Sequence, residues 1–138
     1  MDTKKEFFRM MREHSEIALA TSFDNTPNVR TVNFYFDPDA KVLYFATFSD
    51  NTKVFELEKN TKVAFTTIPK HGTEHIKAKG ICTKSSKTVY DLKEQLIGKM
   101  EGYRELIEDV GAFLVVYEIH FEKAQVVLTL ENIDTYTL

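Results

Sequence analysis

The chain has 138 residues, is 43% hydrophobic with eleven Phe, and carries a formal net charge of −3. That length suits a single domain, residues 1–138, able to bury its own core, and the acidic balance without any basic run excludes a nucleic-acid surface as its main business. One cysteine excludes an internal disulfide or a Cys-rich metal site, and no stretch approaches the ~18 apolar residues of a membrane span. With no apolar signal core in residues 1–6, the expectation is a soluble cytoplasmic protein.

Residues 3–13 read as a short helix with Phe7, Phe8 and Met11 on one side. Residues 15–23 contain Ile17, Ala18, Leu19 and Ala20, a run that suits a buried strand, and Asp24, Asn25, Thr26 and Pro27 read as a turn. Residues 28–36 and 41–47 alternate like two strands of a hairpin, joined by Asp37-Pro38-Asp39-Ala40. Residues 51–59 read as a helix with Asn60 as its stop. Residues 61–68 form a Val- and Thr-rich strand, and 69–72 a turn.

Residues 74–83 alternate again, with Ile76, Ala78, Gly80 and Cys82 on the apolar face. Ser85 or Ser86 then caps a longer helix marked by Val89, Leu92, Leu96 and Met100. Residues 102–110 are a shorter helix or a loop; 112–121 and 124–130 are strands. The sum is six or seven antiparallel strands with peripheral helices, a mainly β fold closed or partly closed into a small barrel.

The hairpin suggests a site. Its loop composition sets Val32 against Phe45, Phe34 against Leu43 and Arg30 against Thr47. The first two pairs are apolar; the third ends that face with a cation beside a hydroxyl. Just beyond Thr47 a helix begins, with Lys53 in its first turn and Ser49, Asp50 or Asn51 as possible caps. Helix N-termini carry unpaired N–H groups and suit anions. Arg30, Thr47, Lys53 and that helix end therefore converge on a phosphate.

These segments, Pro27-Asn28-Val29-Arg30-Thr31-Val32-Asn33-Phe34, Leu43-Tyr44-Phe45-Ala46-Thr47, Lys53-Val54-Phe55-Glu56-Leu57-Glu58-Lys59-Asn60 and Val63-Ala64-Phe65, resemble the pyridoxamine 5'-phosphate oxidase-like, FMN-binding split-barrel family. The resemblance covers roughly residues 5–125. It implies a homodimer with a flavin at the subunit interface. Arg30 and Lys53 would bind the FMN phosphate, with Thr47 adding a hydroxyl. Thr31, Val32 and Asn33 would run along the isoalloxazine ring, Phe45 and Ala46 would flank the ribityl chain, and His75 would approach the partner's flavin.

The resemblance also implies an FMN-dependent oxidoreductase acting on a small-molecule acceptor. Alternatives are a non-catalytic flavin-binding or stress-related protein, or a haem- or deazaflavin-binding one with His14 or His75 as an axial ligand. Two departures bear on this. Thr52 stands where many relatives carry a second basic residue, and Tyr35 stands where the vitamin-synthesising oxidases carry a substrate-binding Lys. Pyridoxamine phosphate oxidation itself is therefore not expected. His71 and His75 stand four apart, but Gly72 and the strand after it argue against a helical metal pair, and no metal is expected.

Overall fold

The computed structural model describes all 138 residues. Helix α1 (Thr3–Glu13) is capped by Asp2, whose carboxylate accepts from the Lys5 N–H. It buries Phe7, Met10 and Met11. Strand β1 (Glu16–Phe23) alternates, with Ile17, Leu19 and Thr21 inward. Asp24 and Asn25 both have positive φ and form a two-residue turn that pairs Phe23 with Thr26. Asx residues tolerate that conformation better than other non-glycines.

The hairpin register differs from the expectation. Strand β2 (Thr26–Asn33) pairs along its whole length with β1, not with the strand ending at Thr47. Phe34 interrupts it, donating its N–H to the Ser15 carbonyl. Only β3 (Tyr35–Asp37) pairs with β4 (Val42–Phe48), and there Phe36 rather than Phe34 faces Leu43. The expected pairs Val32 with Phe45 and Arg30 with Thr47 do not form. The cause is the loop. Asp37 Oδ1 accepts from the Asp39 and Ala40 N–H groups, Lys41 takes φ +57°, and the pair Asp37–Val42 closes a loop one residue later than composition suggests. A left-handed Lys carries no sequence signal.

Helix α2 (Thr52–Lys59) follows β4, then β5 (Lys62–Ile68) and β6 (His75–Lys84). The long helix expected after Ser85 is shorter: α3 spans Lys93–Lys99. Ser85 does not cap it; its hydroxyl donates to Glu118 at 2.6 Å. The marked residues Val89, Leu92, Leu96 and Met100 are nonetheless all buried. Helix α4 (Tyr103–Val110) and a 3₁₀ turn lead into β7 (Leu114–His120), β8 (Lys123–Thr129) and β9 (Asn132–Thr137). Strand β9 was not expected; its alternation is mostly polar, and its anchors are Tyr136 against Phe7 and Asp134 accepting from the Thr3 hydroxyl.

The nine strands form one sheet, all pairings antiparallel, in the order β2-β1-β5-β6-β7-β4-β3, with β8 and β9 branching from β6. Its two end strands, β2 and β3, are separated in sequence only by Phe34. The sheet must therefore curl until its ends approach, which makes it a split barrel. Strand β6 turns the corner. Its first residues pair with β8 and its last with β7. At Gly80 a Cβ would lie 2.5 Å from the His120 carbonyl oxygen, so only glycine fits there.

The barrel interior holds the larger apolar cluster, including Phe7, Leu19, Phe34, Phe45, Phe65 and Ile119. A second cluster covers the outside of β4 and β7, where Val42 and Tyr44 of β4 and Val116 of β7 pack under α3 and α4. Strand β4 is thus buried on both faces, which is why it reads as a continuous apolar run.

Candidate functional site

Helix α2, and not the hairpin, brings the expected phosphate residues together. It buries Lys53, Glu56 and Leu57, one face at i, i+3 and i+4 spacing. Lys53 reaches across to β4, where its Nζ donates to Thr47 Oγ1 at 2.6 Å. Glu56 reaches the other way, to β2. Its Oε1 accepts from Arg30 Nη2 at 2.8 Å and from Asn28 Nδ2 at 3.3 Å. Arg30 Nη1 also donates to Thr21 Oγ1 at 3.0 Å. Arg30, Thr47 and Lys53 are neighbours without being paired across a hairpin.

The two cations differ in state. Arg30 is balanced by Glu56, so it is not the free cation that its strand position suggested. Burial opposes ionisation of Glu56, but the Arg30 and Asn28 hydrogen bonds and the Arg30 charge prevail and hold the carboxyl below its usual range. Lys53 is only 5% exposed and pairs with no carboxylate. Burial, with a smaller contribution from the Arg30 charge, lowers its amine to about 8. A buried ammonium whose sole side-chain partner is a hydroxyl is electrostatically incomplete. It retains two N–H donors and lacks a counter-anion.

The helix N-terminus contributes less than expected. Asn51 is the cap: its Oδ1 accepts from the Lys53 N–H and its carbonyl from the Val54 N–H. Two of the first-turn donors are therefore already used. No acidic residue occupies that turn.

The remaining expected residues separate. Thr31 and Asn33 are exposed on β2, an end strand of the sheet, while Val32 packs on the core. Phe45 is 1% exposed and stacks on Tyr117, so only its backbone is available to a ligand. Ala46 is half-buried against the second cluster. His75 stands at the start of β6, opposite Val127, and shares no hydrogen bond with the Arg30–Lys53 group. Its Nδ1–H donates to the Thr73 carbonyl at 2.8 Å, which leaves Nε2 free to accept.

His14 is not available as a ligand. It is 2% exposed; its Nε2 donates to Glu74 and its Nδ1 lies 2.9 Å from Thr67 Oγ1. Arg9 clamps the same carboxylate through two nitrogens. Sequence reasoning missed Glu56, Thr21 and Asn28. The signal was present in the i, i+3 spacing of Lys53 and Glu56, but their opposite reach depends on which strands flank α2. Cys82 is fully buried, and burial pushes its thiol up to about 12, so it is inert. No group of three or more metal-ligating side chains occurs. No helix is long and apolar enough to cross a membrane.

A barrel of this topology, with a buried basic and hydroxyl pair beside its open edge, defines the split-barrel class. Residues 10–133 match the pyridoxamine 5'-phosphate oxidase-like family, and the chain belongs to it. No curated protein sequence matches. Among solved structures, General Stress Protein 26 from Bacillus anthracis is 16% identical, with a TM-score of 0.75 over 100% of both chains. An FAD-binding protein from Mesorhizobium loti is 16% identical, with a TM-score of 0.65 over 87% of this chain and 90% of that one. The haem-storage protein HutZ from Vibrio cholerae is 18% identical, with a TM-score of 0.67 over 88% of this chain and 92% of that one. Identities this low establish the shared fold.

Proposed function

We propose that this chain is a flavoprotein that binds FMN, with the phosphate received by Lys53, Thr47 and Arg30. The Lys53 ammonium carries the reading: it is buried, rests on the Thr47 hydroxyl and has no counter-anion. A phosphate dianion would supply the missing charge and accept from both remaining Lys53 donors. Arg30 keeps further N–H donors beyond those given to Thr21 and Glu56, so it would contribute while held in place. With Glu56 counted, the three charges sum to +1, fewer than two free cations would offer.

The outward edge of Thr31, Val32 and Asn33 would run along the isoalloxazine ring, offering backbone groups to its polar rim. The Phe45 backbone and Ala46 would flank the ribityl chain. When bound, the flavin supplies the redox chemistry; the residues of this chain bind and orient it. Reducing equivalents would come from a nicotinamide nucleotide or a partner and pass to a small acceptor such as a quinone, a nitro compound or a flavin-like molecule.

A homodimer would complete the site. In one chain the ring would rest on an open strand edge beside exposed Val29, Phe23 and Phe55. A two-fold copy would cover that edge and bring His75 of the second chain within reach of the flavin. The solved relatives include both an FAD-binding and a haem-storage protein; the engagement of both His14 ring nitrogens, which removes one of two candidate axial ligands, is what favours flavin over haem.

The test is a fluorescence titration of the purified protein with FMN, alongside an absorbance titration with haemin and light scattering. Saturable FMN binding by a dimer is expected. Haemin binding with no FMN binding would overturn the cofactor, and a stable FMN-bound monomer would overturn the shared site.

A further inference from the structure

Away from Lys53 the molecule half-buries a second unbalanced ammonium, Lys99, at the end of α3. Its Nζ donates to the Met11 carbonyl of α1 at 3.0 Å and lies 3.7 Å from the centroid of the fully buried Phe34 ring. No carboxylate pairs with it. A carbonyl and a ring face stabilise an ammonium in part, but they leave its charge uncompensated, and two of its N–H donors remain.

Lys99 lines a cavity of about 370 Å³ between α1, β3 and α3. The walls include Phe8, Tyr35 and Phe36, and Arg12 and Glu94 also line it. Arg12 is in the last turn of α1 and has no ion pair. The cavity therefore combines aromatic walls, two cations without an ion pair and one carboxylate. Lys70 is the other charge that Lys99 senses, and it adds to the positive side.

We propose that this cavity binds a small aromatic carboxylate, held by Lys99 and Arg12 and stacked among Phe8, Tyr35 and Phe36. A planar ring suits walls of that kind, and the volume is at the small-ligand end of the usual range. With Lys99 protonated, Lys99 and Arg12 outweigh Glu94, and Lys70 adds a further positive charge nearby, so the cavity favours an anion. Its lining shares no residue with Arg30, Thr47 and Lys53, so the two sites can be tested independently. Burial, with a smaller contribution from Lys70, lowers the Lys99 amine to about 7. An anion placed beside it would restore the proton, so binding near pH 7.5 draws a proton from solution.

The experiment is calorimetric titration with 2-naphthoate and the neutral 2-naphthamide, at pH 7.5, in buffers of different ionisation enthalpy. Naphthoate should bind at least tenfold more tightly than the amide, with proton uptake, and saturating FMN should not displace it. Lys99→Met should weaken naphthoate at least tenfold and abolish the uptake. Lys99→Arg should keep most of the affinity and lose the uptake. Lys77→Met, on an exposed strand position, should change neither.

Equal affinity for acid and amide, absence of saturable binding, or an unaffected Lys99→Met variant would each overturn the proposal. Should Lys99→Met fail to fold, proton uptake by the wild type and its loss in Lys99→Arg decide the matter.

Discussion

Lys53→Met should stabilise the protein without flavin while weakening its affinity for FMN. The amine falls from an ordinary 10.5 to about 8 on folding, and each unit corresponds to about 1.4 kcal/mol. The folded state thus holds fewer protons than the unfolded state between about pH 8 and 10.5, so stability rises with pH across that window. Below it the cost of the buried charge is fully present, on the order of 3 kcal/mol. Methionine removes that cost but strands the Thr47 hydroxyl, which is 5% exposed, at about 1 kcal/mol. The balance is a gain of about 2 kcal/mol at pH 7. For a chain of this size that is a Tm increase of roughly 6–8 °C. Thermal melts of wild type and variant at pH 7 and pH 10 test it. The variant's advantage should be clear at pH 7 and nearly gone at pH 10. A variant that melts below wild type at pH 7 would refute the claim that Lys53 is an uncompensated charge.

Arg30→Ala should lower stability by about 3 kcal/mol in chemical denaturation, because it leaves Glu56 buried without its cation; adding Glu56→Gln should recover much of that loss. Glu56, Glu74 and Glu118 all have carboxyls depressed on folding, Glu74 chiefly by Arg9 and the other two by hydrogen bonds that outweigh burial. The stability they contribute is present above the ordinary carboxylate value near 4.5 and is lost as pH falls through their folded values, so acid melts should steepen below about pH 4.5 and flatten in that range when Glu56 is Gln. Gly80→Ala places a Cβ against the His120 carbonyl at the β6 corner and should cost at least 2 kcal/mol by the same measurement.

The first helix, β1, α2 with its Asn60 stop, and the alternating faces of β5 and β6 were legible because local pattern and burial agree there. The buried face Ile76, Ala78 and Cys82 follows directly from period-two alternation. The hairpin register was not legible, because it turns on Lys41 adopting a left-handed conformation and on Phe34 breaking the strand, and neither residue type announces that role. Helix α3 is shorter than its apolar stripe because Val89 and Leu92 reach the second cluster from a turn rather than from a helix. Strand β9 is hidden by its polarity. At the site, Arg30, Thr47 and Lys53 come together as the sequence suggests, but for a different reason. The wrong register still points to them because α2 spans from β2 to β4. What one chain's alternation cannot convey is that Glu56 takes Arg30 and leaves Lys53 as the cation without a partner.

The most direct measurement is the affinity of wild type and Lys53→Met for FMN and for riboflavin, which differ only in the phosphate. A charge-assisted contact to a phosphate is worth roughly 1.5–3 kcal/mol, and the proposed site would make two or three of them. Wild type should therefore bind FMN at least 100-fold more tightly than riboflavin, and in Lys53→Met that preference should shrink by about one to two orders of magnitude. Equal affinity of the wild type for the two flavins, or a preference for FMN that survives Lys53→Met intact, would contradict the assignment of Lys53 as the phosphate anchor.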